Sequence, residues 1–282
     1  MAKWILGIIA TCSLLLLVAI TAMLFYEAFP FFTQYSIVDF LTGCRWRPVA
    51  DSPVFGLLPL LWGSLMVTFI AMLFALPLGI STALYLNGVA STRVREIMKP
   101  IIELLGSVPS VVYGLFGLVI LAPFAQKALN LPVGQCALVA GVVLGLMVVP
   151  IVVSVSEDAL SAVPRSLTEA SHALGATRWE TLMRVVLPAA KSGIIASILL
   201  GFGRAIGETM TVLMVAGGAA QLTASPLKPL RPITLTIAAE MGETPAGSIH
   251  YHSLFARGVV LFLITLIINI IANRYAKSST YK

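Results

Sequence analysis

Charged residues are scarce in this chain of 282 residues: Lys, Arg, Asp and Glu together make up only 11% of it, whereas 59% of its residues are hydrophobic. The mean hydropathy is +0.98. A water-soluble protein of this length needs far more polar residues to cover its surface. The shortage of charge therefore excludes an ordinary soluble domain and predicts that lipid covers much of the chain.

Cysteine is also rare, and its spacing excludes two kinds of site. Cys12, Cys44 and Cys136 show no Cys-x-x-Cys or Cys/His spacing, so neither a structural metal nor a disulfide framework is predicted. The formal net charge of +6 is not gathered into a patch, because Lys and Arg lie between apolar runs. We therefore do not expect nucleic acid to be a partner.

Six apolar stretches are long enough to cross a bilayer, which takes about 20 helical residues. They lie near 5–26, 57–86, 101–125, 136–156, 193–216 and 255–273. The first stretch is too long for a signal peptide and lacks a small-residue cleavage site, so we expect it to remain as an anchor. Glycine and proline within the second and third stretches are typical of helices that pack in a bundle.

The distribution of Lys and Arg between alternate loops predicts the orientation. With the N-terminus inside, eleven basic residues fall on the cytoplasmic side: Lys3, Arg93, Arg95, Lys99, Arg165, Arg178, Arg184, Lys191, Arg274, Lys277 and Lys282. Six fall outside: Arg45, Arg47, Lys127, Lys228, Arg231 and Arg257. Both termini are therefore predicted to be cytoplasmic.

The segment 157–191 is the longest predicted inner connection, and it has the signals of two short helices. Gly175 suits the left-handed position after a helix end. Two pairs have the spacing of a capping box, in which the first side chain caps the helix and the second reaches back: Ser166 with Glu169, and Thr177 with Glu180. The sequence predicts a helix, a glycine turn and a second helix.

The same segment resembles the EAA motif of the permeases of binding-protein-dependent ABC importers. The matching residues are Glu169, Ala170, Ser171, Gly175, Leu187 and Pro188. Ser171 replaces the family's Ala and Val185 replaces an Ile, and both are mild departures. The resemblance implies that this helix pair docks into a groove of a cytoplasmic ATPase.

The resemblance extends over nearly the whole chain and narrows to the phosphate importer permeases, of the PstC type more than the PstA type. It is carried by the stretches Leu104–Gly117, Gly203–Met210, Thr236–Glu243 and Gly247–Ala256. It leaves two alternatives open, a permease for another oxyanion and the PstA-type partner subunit.

Arg204 and Glu208 are charged, whereas the residues around them are mostly apolar. They lie four residues apart within the fifth predicted span. Charges inside a membrane are costly and by default functional or paired. In the functional interpretation Arg204 offers its guanidinium to phosphate oxygens, Glu208 holds it in place, and the hydroxyls of Thr209 and Thr211 add donors. In the alternative interpretation the pair is purely structural.

The predicted fold class is all-α: a polytopic membrane protein with about six transmembrane helices and a cytoplasmic coupling-helix pair, as in type I ABC importer permeases. We divide it into an anchor helix with the first outer loop (1–56), a permease core (57–273) with coupling helices at about 164–188, and a cytoplasmic tail (274–282). The outer segment contains a short apolar helix candidate from Ile233 to Met241. Arg231, Glu240, Glu243, His250 and His252 near it are interpreted mainly as parts of a solvated loop.

The resemblance implies several partners in the cytoplasmic (inner) membrane: a second permease of the PstA type, two ABC ATPase subunits, an extracytoplasmic phosphate-binding protein and membrane lipid. ATP and Mg would be used by the ATPase subunits. The chain itself has no GxxxxGK[ST] loop, so no cofactor is expected in it and it is not expected to be an enzyme. A secondary transporter or channel would not need the helix pair, and a membrane-embedded hydrolase would need a nucleophile and base at one depth, which is not found.

Overall fold

The computed structural model describes residues 2–278 and, within them, the side chains of all but positions 2, 3, 5, 273 and 275–278. Residues 279–282 of the predicted tail, with Lys282, and the side chains of Lys3 and Lys277 lie outside the described part. The long helices are α1 (Ala2–Gln34), α3 (Leu58–Gly88), α7 (Ala137–Ser161) and α14 (Ile249–Ser278). Short elements join α1 to α3, namely α2 (Ile37–Thr42), β1 (Trp46–Arg47) and β2 (Val54–Phe55).

Helices α3 and α7 form the centre of the bundle. Their facing residues, among them Ala71 and Val148, are fully or almost fully buried. Gly145 permits the close approach, because a Cβ there would lie 2.9 Å from the carbonyl oxygen of Ala71. Five described helices are long and apolar enough to cross a membrane, and a bent pair raises the number to six.

The third predicted span begins later than expected. Residues 101–107 belong to an amphipathic helix, α4 (Thr92–Ser107), and the apolar span itself is Ser110–Ala128. The break falls at Pro109, because the residue before a proline is pushed out of the helical region and Val108 is extended. The span consists of α5 (Ser110–Phe116), a π-helical turn (Gly117–Leu121) and α6 (Ala122–Ala128).

The fifth predicted span is not one continuous helix. It consists of α11 (Lys191–Ile206) and α12 (Met210–Val215), and the three residues between them form a break. Helix α11 is also bent by 68° from the preceding segment Arg178–Ala189. The break carries Glu208 and therefore lies within the predicted charged site.

The inner connection folds as a helix, a glycine turn and a helix, as predicted. Helix α8 (Arg165–Ala173) leads to Gly175 at φ +86°, and α9 (Arg178–Thr181) continues as a π-helical turn (Leu182–Val186) and α10 (Leu187–Ala189). The capping box at Thr177 and Glu180 is confirmed. The predicted box at Ser166 and Glu169 is wrong, because Pro164 is the N-cap and Ser166 already lies inside the helix.

The predicted outer segment contains the short helix that the sequence indicated, α13 (Ile233–Glu240). Its C-terminal residue Glu240 accepts hydrogen bonds from Arg231 (2.5 Å) and Trp46 (3.1 Å) and contacts His250 (2.8 Å). The interpretation of these residues as a solvated loop is therefore wrong for Arg231, Glu240 and His250. It is also wrong for His252, which lies in a helix and contacts the carbonyl oxygen of Glu27 at 2.8 Å. The contacts of Glu240 tie α13 to the β1–β2 hairpin and to α14.

Candidate functional site

Arg204 and Glu208 form the ion pair that their spacing suggests. The distance from Arg204 Nη1 to Glu208 Oε2 is 2.6 Å, and the second guanidinium nitrogen lies 3.9 Å from the sulfur of Met147. The two side chains differ in exposure: Arg204 is 45% exposed and Glu208 only 3%. Glu208 therefore anchors the pair within the chain, while Arg204 presents part of its guanidinium to an open face.

Glu208 can hold this position because the helix break gives it further partners. Its Oε1 accepts hydrogen bonds from the backbone N–H groups of Met210 (3.1 Å) and Thr211 (3.3 Å), at the start of α12. These N–H groups have no partner within a helix, and an acidic side chain is a favourable cap for them. One carboxylate thus caps α12 and orients Arg204.

The two threonines that follow Glu208 differ in availability. The hydroxyl of Thr209 contacts the carbonyl oxygen of Gly207 at 3.4 Å, and the residue is partly exposed. Thr211 is fully buried, and its hydroxyl donates to the carbonyl oxygen of Ser110 at 3.1 Å. Thr211 is therefore a contact between α12 and α5, which contradicts the suggestion that it adds a donor for a solute.

The exposed face around Arg204 requires a cover. A guanidinium that faced hydrocarbon would cost at least about 2.5–3.5 kcal/mol, so arginines within membranes face a protein interior or a water-filled path. In the described part of the chain, Glu208 is the one carboxylate that contacts Arg204. A second chain or an aqueous pathway on this face satisfies that requirement.

The helix pair that follows α7 exposes apolar side chains. Leu174 is 90% and Trp179 is 60% exposed, and Glu169, Ala170 and Pro188 are also exposed. Ser171 and Leu187 are partly buried instead; the hydroxyl of Ser171 lies 2.9 Å from that of Thr181 and joins the two helices. An apolar surface of this kind on a polar turn is typical of a docking site.

Hydrogen bonds keep the second helix of the pair capped. Glu180 accepts from the backbone N–H and the hydroxyl of Thr177, at 2.9 and 2.8 Å. These bonds lower the pKa of Glu180, because they stabilise its charged form. The cap is therefore complete at neutral pH and is lost as the pH falls below the ordinary range of glutamate.

A cluster of charges joins α4 to the C-terminal end of α7. Glu157 is 1% exposed and accepts from Arg95 and Lys99, while Lys99 also contacts Asp158 at 3.0 Å. The hydrogen bonds to Glu157 and Asp158 raise the pKa of Lys99, so it remains charged at physiological pH. Sequence reasoning missed this cluster, because Glu157 fell just beyond the predicted fourth span.

Sequence reasoning also missed the burial of Arg257. It was assigned to the outer segments, but it lies inside α14, is 0% exposed and stacks over the ring of Trp46 at 3.7 Å. Its guanidinium donates to the carbonyl oxygens of Ser253 (2.7 Å) and Phe55 (3.0 Å). Arg257 is therefore a further charge inside the later spans, besides Arg204 and Glu208.

The bundle of apolar helices, with a broken, charged span and an exposed helix pair, is that of a multi-pass membrane protein. Residues 75–279 match the family described as binding-protein-dependent transport system inner membrane component. The chain belongs to this family.

Named relatives agree with this assignment. A probable ABC transporter permease protein YqgH of Bacillus subtilis is 37% identical, over 95% of this chain and 89% of the relative. The phosphate transport system permease protein PstC of Mesorhizobium japonicum is 35% identical, over 83% and 76%. A probable PstC of Methanocaldococcus jannaschii is 33% identical, over 93% and 89%.

Solved structures share the fold at low sequence identity. A chain of a bacterial alginate ABC transporter superposes with a TM-score of 0.67 at 16% identity, covering 99% of this chain and 96% of that chain. A chain of the MetNI methionine ABC transporter in an inward-facing conformation gives a TM-score of 0.60 at 20% identity, over 77% and 93%. These structures establish the type I importer permease fold.

Proposed function

We propose that this chain is the permease subunit that forms half of the translocation pathway for inorganic phosphate in an ATP-driven importer. The observation that carries the proposal is the half-exposed guanidinium of Arg204, held by the buried Glu208 inside a broken apolar span. Phosphate carries between one and two negative charges near neutral pH, and a guanidinium fork matches two of its oxygens. The phosphate transport permeases among the relatives support this choice of anion.

The ion pair also provides a reason why phosphate is released. A site that holds an anion too firmly cannot pass it on. Glu208 competes with phosphate for Arg204 and moderates its grip, while the hydroxyl of the partly exposed Thr209 offers a neutral donor next to it. Arg204, Glu208 and Thr209 form the proposed substrate pathway.

The other half of the pathway comes from a second permease of the PstA type, which covers the open face around Arg204. Two cytoplasmic ATPase subunits, which use ATP and Mg, receive the helix pair through Glu169, Ala170, Ser171, Gly175, Leu187 and Pro188. A phosphate-binding protein delivers the anion from outside, and both termini are cytoplasmic. Closure of the ATPases on ATP would draw the helix pairs together and turn the pathway outward.

The test is uptake of labelled phosphate into proteoliposomes that contain the complete complex. We expect uptake to require ATP on the side of the membrane that carries the ATPase subunits. It should also require the binding protein on the opposite side. Uptake by this chain alone, without ATP, would support the secondary transporter or channel instead. Unlabelled arsenate as a competitor measures how strictly the site selects phosphate among oxyanions.

A further inference from the structure

The orientation of Arg204 depends on a break in the helix, and a break has few internal hydrogen bonds to fix it. Helix α11 ends at Gly207 and α12 begins at Met210, so three residues between them set the angle at which Glu208 meets Arg204. The carboxylate of Glu208 holds the guanidinium from one side only. Within the break, the carboxylate of Glu208 binds the N–H groups of Met210 and Thr211, and a neighbouring element holds the backbone from the other side.

Helix α13 supplies that element through one buried hydroxyl. Thr234 is 5% exposed, and its Oγ1 donates to the backbone carbonyl oxygen of Glu208 at 2.7 Å. Thr234 and Glu208 line the same narrow crevice, with Ser64 and Thr68, which leaves no room for a water molecule. Because water cannot replace the hydroxyl, the contact between α13 and the break depends on Thr234 itself.

Both ends of α13 are anchored, so Thr234 is itself held in place. At the N-terminal end, the backbone N–H of Ile233 donates to Oγ of the buried Ser64 on α3, at 2.9 Å. At the C-terminal end, Glu240 is bound by Arg231 and His250. A short helix that is fixed at both ends forms a rigid support for the break.

We propose that Thr234 is a positioning residue for Arg204: through the Glu208 backbone it fixes the break, and so the direction in which the guanidinium meets the transported anion. The inference rests on the proposed function, since it takes Arg204 as the group that contacts phosphate. It adds that α13, a helix of the outer segment, belongs to the substrate pathway as its support.

The experiment compares variants in the complete, purified complex in proteoliposomes. The readout is labelled phosphate taken up per ATP hydrolysed, which a change in the amount of assembled complex does not alter. Thr234→Val removes the hydroxyl at equal volume and is expected to lower this ratio by about three- to tenfold, as expected for the loss of one buried hydrogen bond. Thr234→Ser keeps the hydroxyl and is expected to stay within about twofold of the parent ratio.

A matched control and a second variant complete the design. Thr265→Val removes a hydroxyl that donates only within α14, to Leu261 and Phe262, and it should leave the ratio unchanged. Ser64→Ala loosens the same junction from the α3 side and should also lower the ratio. Ser64→Ala also serves as the test if the Thr234→Val complex does not assemble. In that case, unchanged phosphate uptake per ATP in Ser64→Ala would overturn the proposal.

Arg204→Lys separates this proposal from the proposed function. If Thr234 acts through Arg204, adding Thr234→Val to Arg204→Lys lowers the ratio little further, whereas independent effects multiply. The positioning role alone is overturned if Thr234→Val keeps the uptake per ATP of the unmodified complex while Arg204→Lys lowers it. It is also overturned if the double variant shows the product of the two single losses. A parent ratio in Arg204→Lys and in Arg204→Gln contradicts the proposed function itself.

Discussion

Two arginines lie inside apolar helices, and their surroundings give them different roles. Arg204 is half exposed and paired with one carboxylate. Arg257 is fully buried, stacks on Trp46, and in the described part of the chain its Nε has no hydrogen-bond partner. An exposed charge can meet a solute, whereas a buried one that binds two backbone carbonyls holds elements together.

Replacing Arg257 should therefore affect stability more than transport chemistry. Arg257→Leu removes the donor to the Phe55 carbonyl, at about 1–3 kcal/mol for this acceptor left unpaired. The Ser253 carbonyl keeps its partner, because it also accepts a backbone bond within α14. Arg257→Lys should not restore stability, because an ammonium lacks the planar fork that stacks on Trp46. The measurement is the thermal unfolding temperature of the complex, with Arg45→Leu at an exposed position as control. Equal unfolding temperatures for Arg257→Leu and Arg45→Leu would contradict this role.

The sequence could identify Arg204 but not the burial of Arg257, for a physical reason. Arg204 and Glu208 are four residues apart, so their pairing is a local contact even though Glu208 lies in the break after α11. Arg257 binds the carbonyl of Phe55, 202 residues earlier in the chain. A contact of that range depends on the packing of the whole bundle and leaves no local pattern.

At the scale of elements, the inner helix pair depends on its glycine turn. Gly175 has φ +86°, a conformation that costs other residues about 1–2 kcal/mol and that proline cannot adopt. We expect Gly175→Ala to reduce, and Gly175→Pro to abolish, the coupling between ATP hydrolysis and phosphate uptake. Gly242→Ala is the matched control, since a Cβ meets nothing within 4 Å at either glycine and only Gly175 has a positive φ. Normal uptake by a well-inserted Gly175→Pro chain would rule out the docking role.

The contact between α4 and α7 gives a second prediction at this scale. Glu157 and Asp158 are neighbours that share Lys99, but their side chains are 1% and 69% exposed. Glu157→Ala leaves Arg95 and Lys99 without their buried partner, but water reaches both cations, so we expect a cost of about 1.5–3 kcal/mol. Asp158→Ala breaks only an exposed pair, at about 0–1 kcal/mol. Chemical denaturation of the two variants measures the difference, and equal losses would show that burial does not govern this cluster.

Element types were easier to predict than their boundaries. The apolar runs indicated the helices α3, α7 and α14 because lipid exposure demands long apolar stretches. The sequence did not reveal that Pro109 starts the third span, that Pro164 displaces Ser166 as a cap, or that the fifth span breaks after Ile206. Pro109 and Pro164 act locally, but each competes with a neighbouring helix signal in the sequence. The break after Ile206 is held by the bonds of Glu208 to the start of α12, which the sequence pattern does not show.

At the scale of the whole molecule, the proposed function makes the chain one half of a pathway. Its composition alone predicted a membrane bundle, and the fold is that of importer permeases. The open face around Arg204 has no cover within the described residues. A second permease subunit would cover this face and shield the guanidinium from lipid. The central claim is therefore that Arg204 contacts the transported phosphate between two chains.

Uptake of labelled phosphate per assembled complex, for Arg204→Gln, Glu208→Gln and the double variant, tests this claim most directly. If Arg204 binds phosphate, Arg204→Gln nearly stops uptake in an intact complex, because the amide fits the space but lacks the charge, and adding Glu208→Gln does not restore it. If the pair is only structural, each single variant loses stability and the double variant regains much of it. Near-normal uptake by the double variant would contradict the account.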